Sequence, residues 1–267
     1  MENNDYYPFL CNIIFRFQNE ERIYFVLEFL SGGELFQHLR KFRTFDEDKV
    51  RFYGAQIALA LEYLHKKGVI CRDLEPKNIL IDDKGYLKIA GFGIDKQLKN
   101  GVHQELNTGF CEFQEYLSPE IIKNEDFNES VDWWSLGILL YEMLCGIPPF
   151  YHKNYEMSNK SQVIFPKKLN LSEDAQDIIN KLLANNPKKR LGGQSWIEEI
   201  KAHPFFANID FDLIEEKKFP APYIPDLLNE IDVENLDEEL SDEEEDINYI
   251  NMTKKDYKIK LNKFYLY

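Results

Sequence analysis

The sequence has no long uninterrupted run of apolar residues. The longest candidate, residues 138–144, is broken by Glu142, whereas a membrane-spanning helix needs about 20 apolar residues in succession. The first residues, M-E-N-N-D-Y-Y, contain no basic stretch followed by an apolar one, so no secretory signal peptide is expected. These absences predict a cytoplasmic protein, with the nucleus as an alternative, and no membrane partner.

Paired cysteines and metal-binding clusters are lacking as well. The four cysteines are scattered without a C-x-x-C pair, and the five histidines are isolated from one another. This spacing favours free thiols in a reducing compartment over a disulfide framework or a zinc site.

Acidic residues outnumber basic ones by 47 to 32. The net charge is −15, which argues against a nucleic-acid partner because such proteins need cations to neutralise phosphates. Much of the negative charge is local: the stretch from Glu230 to Asp246 holds eleven acidic residues and no basic one. A run this acidic cannot bury enough apolar surface to fold alone, so it is expected to be disordered.

The patterns that are present predict a small β piece followed by a mostly helical body. Two strand-like runs, 12–17 and 23–30, are joined by Q-N-E-E-R and predict an antiparallel hairpin. A short helix is expected to begin at Leu35, and Asp46 precedes a helix that ends at Gly68.

Further helices follow in the second half of the chain. Ser130 is expected to cap a helix that runs to Cys145 and is apolar on most faces, as in a buried helix. Two more helices are expected to begin at Ser172 and Ser195. From about residue 207 the chain is predicted to be extended.

The stretch from Val69 to Gly93 carries the candidate chemistry. Asp73 lies five residues before Asn78, two short apolar runs flank a D-D-K-G turn, and G-F-G begins at Gly91. The two runs predict a β-hairpin. Asp and Asn in a loop also fit simple turn geometry, and this alternative stays open.

Together with G-G-E-L-F, V-D-W-W-S-L-G, K-K-R-L-G-G and H-P-F-F-A-N, this stretch resembles the AGC group of serine/threonine protein kinases. The resemblance implies an α+β protein-kinase-like fold that binds ATP and magnesium and acts on a protein substrate. Residues 1–30 would be a remnant of the small lobe, 31–206 the helical large lobe, and 207–267 the AGC C-terminal extension with its acidic segment 230–246.

The resemblance assigns roles to particular residues. Asp73 would orient and deprotonate the substrate hydroxyl, and Asn78 would bind magnesium. The remaining positions are given by group: nucleotide contacts at Leu27, Glu28, Leu30, Glu34 and Leu80; an acidic pocket for substrate arginines at Glu34 and Glu142; and activation-segment positions at Arg72, Thr108, Glu120 and Arg190. Leu27 and Leu80 fit equally well as plain core residues.

Several positions depart from the family pattern. Gly91 replaces the Asp of D-F-G, Glu75 replaces the loop lysine, and Lys77 stands at a usual glutamate position. Phe113 replaces a threonine, and the sequence given holds before residue 8 neither a glycine-rich loop nor the ATP-contacting lysine of the family's small lobe. Magnesium needs hard oxygen ligands, and glycine has no side-chain oxygen to supply one. The sequence therefore predicts an impaired or inactive kinase.

Two alternatives to an active enzyme remain open at this point. One is a non-catalytic pseudokinase module that binds a protein partner, and the other is a fragment of an active AGC kinase from an incomplete gene model.

Three further expectations concern particular segments. Residues 8–30 are expected to mediate self-association, because apolar strand edges recruit other chains. Residues 230–267 are expected to lie off the folded body, and Cys71 is expected to stack with Ile13 and Phe92.

Overall fold

The computed structural model describes residues 6–19, 23–92, 114–150, 163–193, 197–225 and 265–266. Five strands lie within this part of the chain, at β1 Ile13–Gln18, β2 Ile23–Leu27, β3 Ile79–Ile81, β4 Leu87–Ile89 and β5 Tyr265–Leu266. Its α-helices are α1 Leu35–Phe42, α2 Glu47–Lys66, α3 Pro119–Ile122, α4 Ser130–Cys145, α5 Glu173–Leu182, α6 Ile197–Lys201 and α7 Phe211–Glu215.

The strands form two small antiparallel sheets. One has the order β1-β2-β5 and the other pairs β3 with β4. Both predicted hairpins are confirmed, although β2 ends at Leu27 rather than at residue 30. A bulge between Ile13 and Phe15 shifts the register of β1 against β2.

The pairing of β5 corrects the expectation that residues 230–267 lie off the folded body. Tyr265 pairs with Phe25 and Leu266 with Tyr24. The end of the tail thus covers part of the edge of β2 that β1 leaves open, since each strand can pair on two sides.

Helix α2 is the predicted helix after Asp46, and it lies at the centre of the body. The Asp46 side chain accepts a hydrogen bond from the Lys49 backbone N–H at 2.8 Å, which caps the helix N-terminus. Most of its residues from Val50 to His65 are buried because α4 and the sheet of β3 and β4 pack on it from different sides.

Helix α4 confirms the predicted buried helix but corrects its cap. Ser130 is the first helical residue, and Glu129 takes the N-cap position. The backbone N–H of Ser130 instead donates to Asn128 Oδ1 at 3.1 Å. Gly146 ends the helix with φ +86, a left-handed conformation that favours glycine.

The last two predicted helices have different outcomes. Ser172 caps α5 by accepting a hydrogen bond from Ala175 N at 3.1 Å, as its sequence position predicts. Ser195 lies outside the described residues, so its predicted capping role stays a prediction; α6 is described from Ile197. Among the described residues, no helix has both the length and the apolar character that crossing a bilayer requires.

The prediction of extended chain after residue 207 is wrong at α7. Asp210 accepts hydrogen bonds from Asp212 N at 3.1 Å and Leu213 N at 3.0 Å and so starts a short helix. Ile214 from this helix is fully buried. A capping Asp is a local signal, and it outweighs the otherwise extended pattern.

The chain after α7 lies against the helical body. Lys217 Nζ contacts Asp82 Oδ2 at 2.9 Å, and Tyr86 donates its hydroxyl proton to the Phe219 carbonyl. Further on, Tyr223 and two rings from the body, Phe42 and Phe45, surround the Lys49 ammonium at 4.9–5.5 Å. Cation–π contacts of this kind attract the tail to α1 and α2.

Gly85 allows this approach, and its replacement is expected to be costly. Its φ is +82, and a Cβ there would lie 2.0 Å from the Tyr223 carbonyl oxygen. Gly85→Ala should therefore lower the free energy of unfolding by the roughly 1–2 kcal/mol of left-handed strain plus the cost of displacing the tail. Trypsin cleavage after Lys217 and Lys218 should become faster.

Gly68→Ala is the matched control for this substitution. Gly68 also has positive φ, +68, but a Cβ there meets nothing within 4 Å. Gly68→Ala should lower the free energy of unfolding by the left-handed strain alone and leave the rate of trypsin cleavage at Lys217 unchanged. Equal effects of the two variants in urea unfolding and proteolysis would contradict the close approach of Tyr223.

Candidate active site

The loop between α2 and β3 brings Asp73 and Asn78 together. The Asn78 amide NH2 donates to Asp73 Oδ2 at 2.8 Å and to the Asp73 carbonyl at 3.1 Å. A single turn of 3-10 helix, Pro76–Asn78, bends the chain between them. The pair is thus fixed by direct contact, and both bonds use the Asn78 nitrogen rather than its carbonyl oxygen.

Asp132, from the first turn of α4, holds the backbone of this loop. Its Oδ2 accepts from Cys71 N at 2.8 Å and its Oδ1 from Arg72 N at 2.8 Å. His65 Nε2 lies 2.7 Å from Oδ2 and completes the set. The carboxylate is fully buried, so these partners replace the water it has lost. No spacing pattern in the sequence points to His65, so its contact with Asp132 is not predictable from the sequence.

Gly91 lies next to Asn78 across the β3–β4 sheet. The N–H of Ala90, its chain neighbour, donates to the Asn78 carbonyl at 2.7 Å. Gly91 has φ +73, and it offers no side-chain oxygen toward Asn78. Within the part of the chain that is described, no three His, Cys, Asp or Glu side chains group as a metal site. The donor set present does not fit the paired magnesium ligands of a protein kinase.

The segment after β2 brings the proposed nucleotide contacts up to this sheet. Gly32 N donates to the Ile81 carbonyl at 2.9 Å, and Ile81 N donates to the Gly33 carbonyl at 2.8 Å. Glu34 and Leu80 form an isolated antiparallel bridge. Leu27, Leu30 and Leu80 are half-buried, whereas Glu34 is buried. The structure therefore brings Glu34 beside Leu80 in β3, the strand that follows the Asp73 loop, and the nucleotide contacts themselves stay a prediction.

Glu28 is engaged with its own chain. Its Oε1 accepts from Lys88 Nζ at 2.6 Å and from the backbone and side-chain nitrogens of Asn12, both at 2.8 Å. Burial first and the Glu28 charge second raise the pKa of the nearby Cys11 thiol to about 12. The sequence does not point to Lys88, because an isolated lysine in a strand gives no sign of a buried ion pair.

Glu142, in the last turn of α4, accepts a hydrogen bond from the Tyr116 hydroxyl. Ser135 Oγ donates to the Tyr116 carbonyl at 3.2 Å and fixes that residue in turn. Burial, and then the charge of Glu115, raise the pKa of Glu142 to about 7. Glu34, the other residue of the predicted acidic pocket, occupies the N-cap position of α1.

Glu120 and Arg190, two of the predicted activation-segment positions, form a buried ion pair. The two carboxylate oxygens accept from Arg190 NH1 at 2.6 Å and NH2 at 2.9 Å. The guanidinium also donates to the carbonyls of Ser130 at 2.8 Å and Ala184 at 3.1 Å, and it lies 5.1 Å from the Trp134 ring. A charge this deep needs each of these partners.

Other predicted activation-segment features are only partly described. Thr108 and Phe113 lie outside the described residues. The Arg72 guanidinium lies 5.3 Å from the Phe127 ring, and Arg72 has φ +66. The expected stack of Ile13, Cys71 and Phe92 is not a buried one, because Ile13 is 55 % exposed while Cys71 is buried.

Comparison with known sequences settles the family. The protein-family model described as protein kinase domain matches residues 1–206. This chain belongs to the protein kinase family. The match covers more than half of the chain, and the α+β fold expected of a kinase is confirmed by the strands and helices described above.

Individual kinases place the chain near the AGC group. It is 44 % identical over 239 residues to the serine/threonine-protein kinase sgk-1 of Caenorhabditis elegans, which covers 89 % of this chain and 51 % of that kinase. It is 42 % identical to the RAC family serine/threonine-protein kinase homolog of Dictyostelium discoideum over 89 % of this chain and 53 % of the relative. The chain thus spans about half the length of these relatives.

Proposed function

We propose that this chain is a serine/threonine protein kinase homologue that has lost magnesium-dependent phosphoryl transfer. Gly91 carries the proposal. The relatives' family uses an aspartate oxygen at this place to hold magnesium on ATP, and here the position next to Asn78 has no side chain at all. ATP and magnesium are the cofactors that the family implies, and the donor set of this chain supports neither a second metal ligand nor a step that depends on one.

Charges around Asp73 support the same proposal. Glu75, at the position of a cation that steadies the transferred phosphate, is buried in the loop. A negative charge there repels the phosphate it should stabilise, and loss of one such electrostatic group costs about 10²–10³-fold in rate. The effects of Gly91 and Glu75 need not multiply, but both act in the same direction.

The test is phosphate incorporation from labelled ATP into a basic peptide, with Asp73→Asn as the matched control. Since the family places the proton-accepting carboxylate at Asp73, a working site should lose its activity in that variant. We expect the unmodified chain and the Asp73→Asn variant to give the same background rate. Incorporation that the substitution abolishes would show that the chain transfers phosphate.

A second function, protein binding, is favoured by the surface of β1. Ile13, Ile14 and Phe15 are 55 %, 68 % and 59 % exposed, and successive strand residues face opposite sides. Both faces of the strand are therefore apolar and uncovered within the described part of the chain. Exposed apolar surface with an open strand edge favours association, and residues 8–30 are the proposed site of self-association.

Light scattering tests this association. The molar mass of the unmodified chain should be that of a dimer or a larger species. The double variant Ile14→Lys and Phe15→Lys should have the molar mass of a monomer, because lysines on an exposed strand oppose pairing. Leu213→Lys is the control, since Leu213 is an exposed apolar residue on α7, away from the strand. A monomer in all three proteins would contradict the proposal.

A further inference from the structure

The sheet of β1, β2 and β5 is assembled from opposite ends of the chain. β2 is its central strand. β1 lies next to β2 in one hairpin and pairs with all five of its residues, whereas β5 comes from the C-terminal end and is two residues long. In that short strand, Tyr265 pairs with Phe25 and Leu266 pairs with Tyr24. One edge of β2 is thus held along its whole length, and the other receives a strand that is less than half as long.

β1 holds β2 in an extended conformation without help from β5. The rings of Phe17 and Tyr24 stack across the two strands, with their centroids 4.7 Å apart and their planes 9° apart. Phe15 adds to this row, because its ring centroid lies 5.9 Å from that of Phe17. β2 is therefore a pre-formed template, and a strand that pairs with its other edge loses only its own conformational freedom on binding.

The pairing of β5 is short enough to exchange. Water competes for backbone hydrogen bonds, so each one contributes only about fivefold to an equilibrium constant, and a strand of two residues forms few of them. Pro225 packs against Gly32, where a Cβ would lie 2.8 Å from the Pro225 Cγ, so the tail is anchored to the body before β5. A covalent tether of this kind gives β5 an effective concentration of millimolar order. A separate strand that pairs with more of β2 displaces it at lower concentrations.

Both faces of β2 are apolar where a third strand adds to it. Residues directly opposite each other in a sheet share a face, and neighbours along a strand face opposite sides. Tyr24, opposite Phe17, therefore borders the added strand on one face, and Leu27, opposite Ile13, borders it on the other. Apolar neighbours on both faces favour a continuous apolar run over an alternating one. The edge thus selects an extended segment of five consecutive apolar residues, one for each residue of β2.

We propose that the edge of β2 opposite β1 is an exchangeable strand-binding site, which takes a continuous apolar run from a partner protein in place of β5. Backbone hydrogen bonds along β2 supply the affinity, and the apolar faces supply the selectivity. The chain's own C-terminal strand is then a resident competitor that a longer strand displaces. This site lies at the opposite edge of the sheet from β1, so it is independent of the self-association proposed above and needs no second copy.

Fluorescence anisotropy with a labelled peptide tests the site. The peptide K-L-N-K-F-Y-L-Y has the sequence of residues 260–267, and it is added to the full-length chain and to a variant that lacks residues 265–267. Both proteins should bind the peptide, and the full-length chain should bind it severalfold more weakly because β5 competes. The register of β5 places Lys263 of the peptide opposite Leu27, so a peptide with Lys263→Val should bind about threefold more tightly.

Proline substitutions in the peptide show whether backbone pairing is responsible for binding. Proline has no N–H, and alternate residues of an antiparallel strand direct their N–H at the partner. Of the Tyr265→Pro and Leu266→Pro peptides, at least one should therefore bind about tenfold more weakly. Lys260→Pro is the control, since this position lies beyond the end of β2 in the same register. Equal affinity of all these peptides, or no binding to either protein below about 1 mM peptide, would overturn the proposal.

Amide hydrogen exchange locates the bound peptide. Amides within residues 23–27 of the shortened chain should exchange more slowly when the peptide is bound, whereas those within residues 13–18 of β1 should be unchanged. Slower exchange in β1 alone would mean that the peptide adds to the other edge of the sheet, and it would overturn the proposal. So would protection of residues 23–27 that increases with the concentration of the shortened chain without peptide, because a second copy would then occupy the edge.

Discussion

Glu120→Ala is expected to lower the free energy of unfolding by about 3–5 kcal/mol. Arg190 is fully buried and donates to both oxygens of Glu120. Removing the carboxylate leaves the guanidinium with two carbonyl partners among the described residues, those of Ser130 and Ala184, and with an uncompensated charge in the core. Urea unfolding followed by tryptophan fluorescence measures the loss.

A surface ion pair supplies the control. Lys218 Nζ lies 2.6 Å from Glu216 Oε2, yet both side chains are more than half exposed. Glu216→Ala should therefore change the free energy of unfolding by less than about 1 kcal/mol. If both variants behave alike, burial is not what makes the Glu120–Arg190 pair important. Substituting Glu120→Leu and Arg190→Met together should recover part of the loss, since it removes both charges.

Glu142→Gln is expected to change how stability depends on pH. The folded-state pKa of Glu142 is raised from 4.5 to about 7, so below pH 4.5 the side chain is neutral in both the folded and unfolded states and carries no penalty. As pH rises from 4.5 to 7, the unfolded chain ionises first and the folded state loses stability relative to it. At pH 8 the variant should be more stable than the unmodified chain by up to about 3 kcal/mol.

The difference between the two proteins is the quantity to measure, because the other titrating groups then cancel. Unfolding at pH 4.5, 6 and 8 should show equal stability at the lowest pH and a growing advantage for Glu142→Gln above it. Glu125→Gln, at an exposed position, should show no such trend. A flat difference for Glu142→Gln would mean that the carboxylate is better solvated than its burial against Tyr116 indicates.

Local patterns predicted much of the fold. The Asp46 and Ser172 caps, the D-D-K-G hairpin and the apolar helix from residue 130 all depend on a few neighbouring residues, and each is present. Ser130 is not the cap because the helical turn begins before it: Val131 N donates to the Asn128 carbonyl and Asp132 N to the Glu129 carbonyl, so Ser130 already lies inside the helix. Helix α7 was missed because its apolar face is too short for a period to show.

Contacts within the candidate site could be predicted where a motif defines them and could not where residues without a motif meet. Asp73, Asn78, Glu120 and Arg190 were found by their sequence context, and the structure brings each pair together. The contact of Tyr116 with Glu142 joins two elements that no local pattern links. Glu28 with Lys88 is similar: the two lie 60 residues apart, so only the packed sheet makes them neighbours.

The contacts of the chain after α7 have a consequence for the order of folding. Tyr7 donates to Glu215 across 208 residues, Lys217 reaches Asp82 across 135, and Tyr223 contacts His38 across 185. Closing loops of this length costs entropy before the contacts that they form can stabilise the fold. Folding is slower for that reason. The ribosome must have released residues beyond 223 before Tyr7, His38 and Lys49 find their partners. The body therefore completes its packing only after Tyr223 has been made, long after Tyr7 and His38 have left the ribosome.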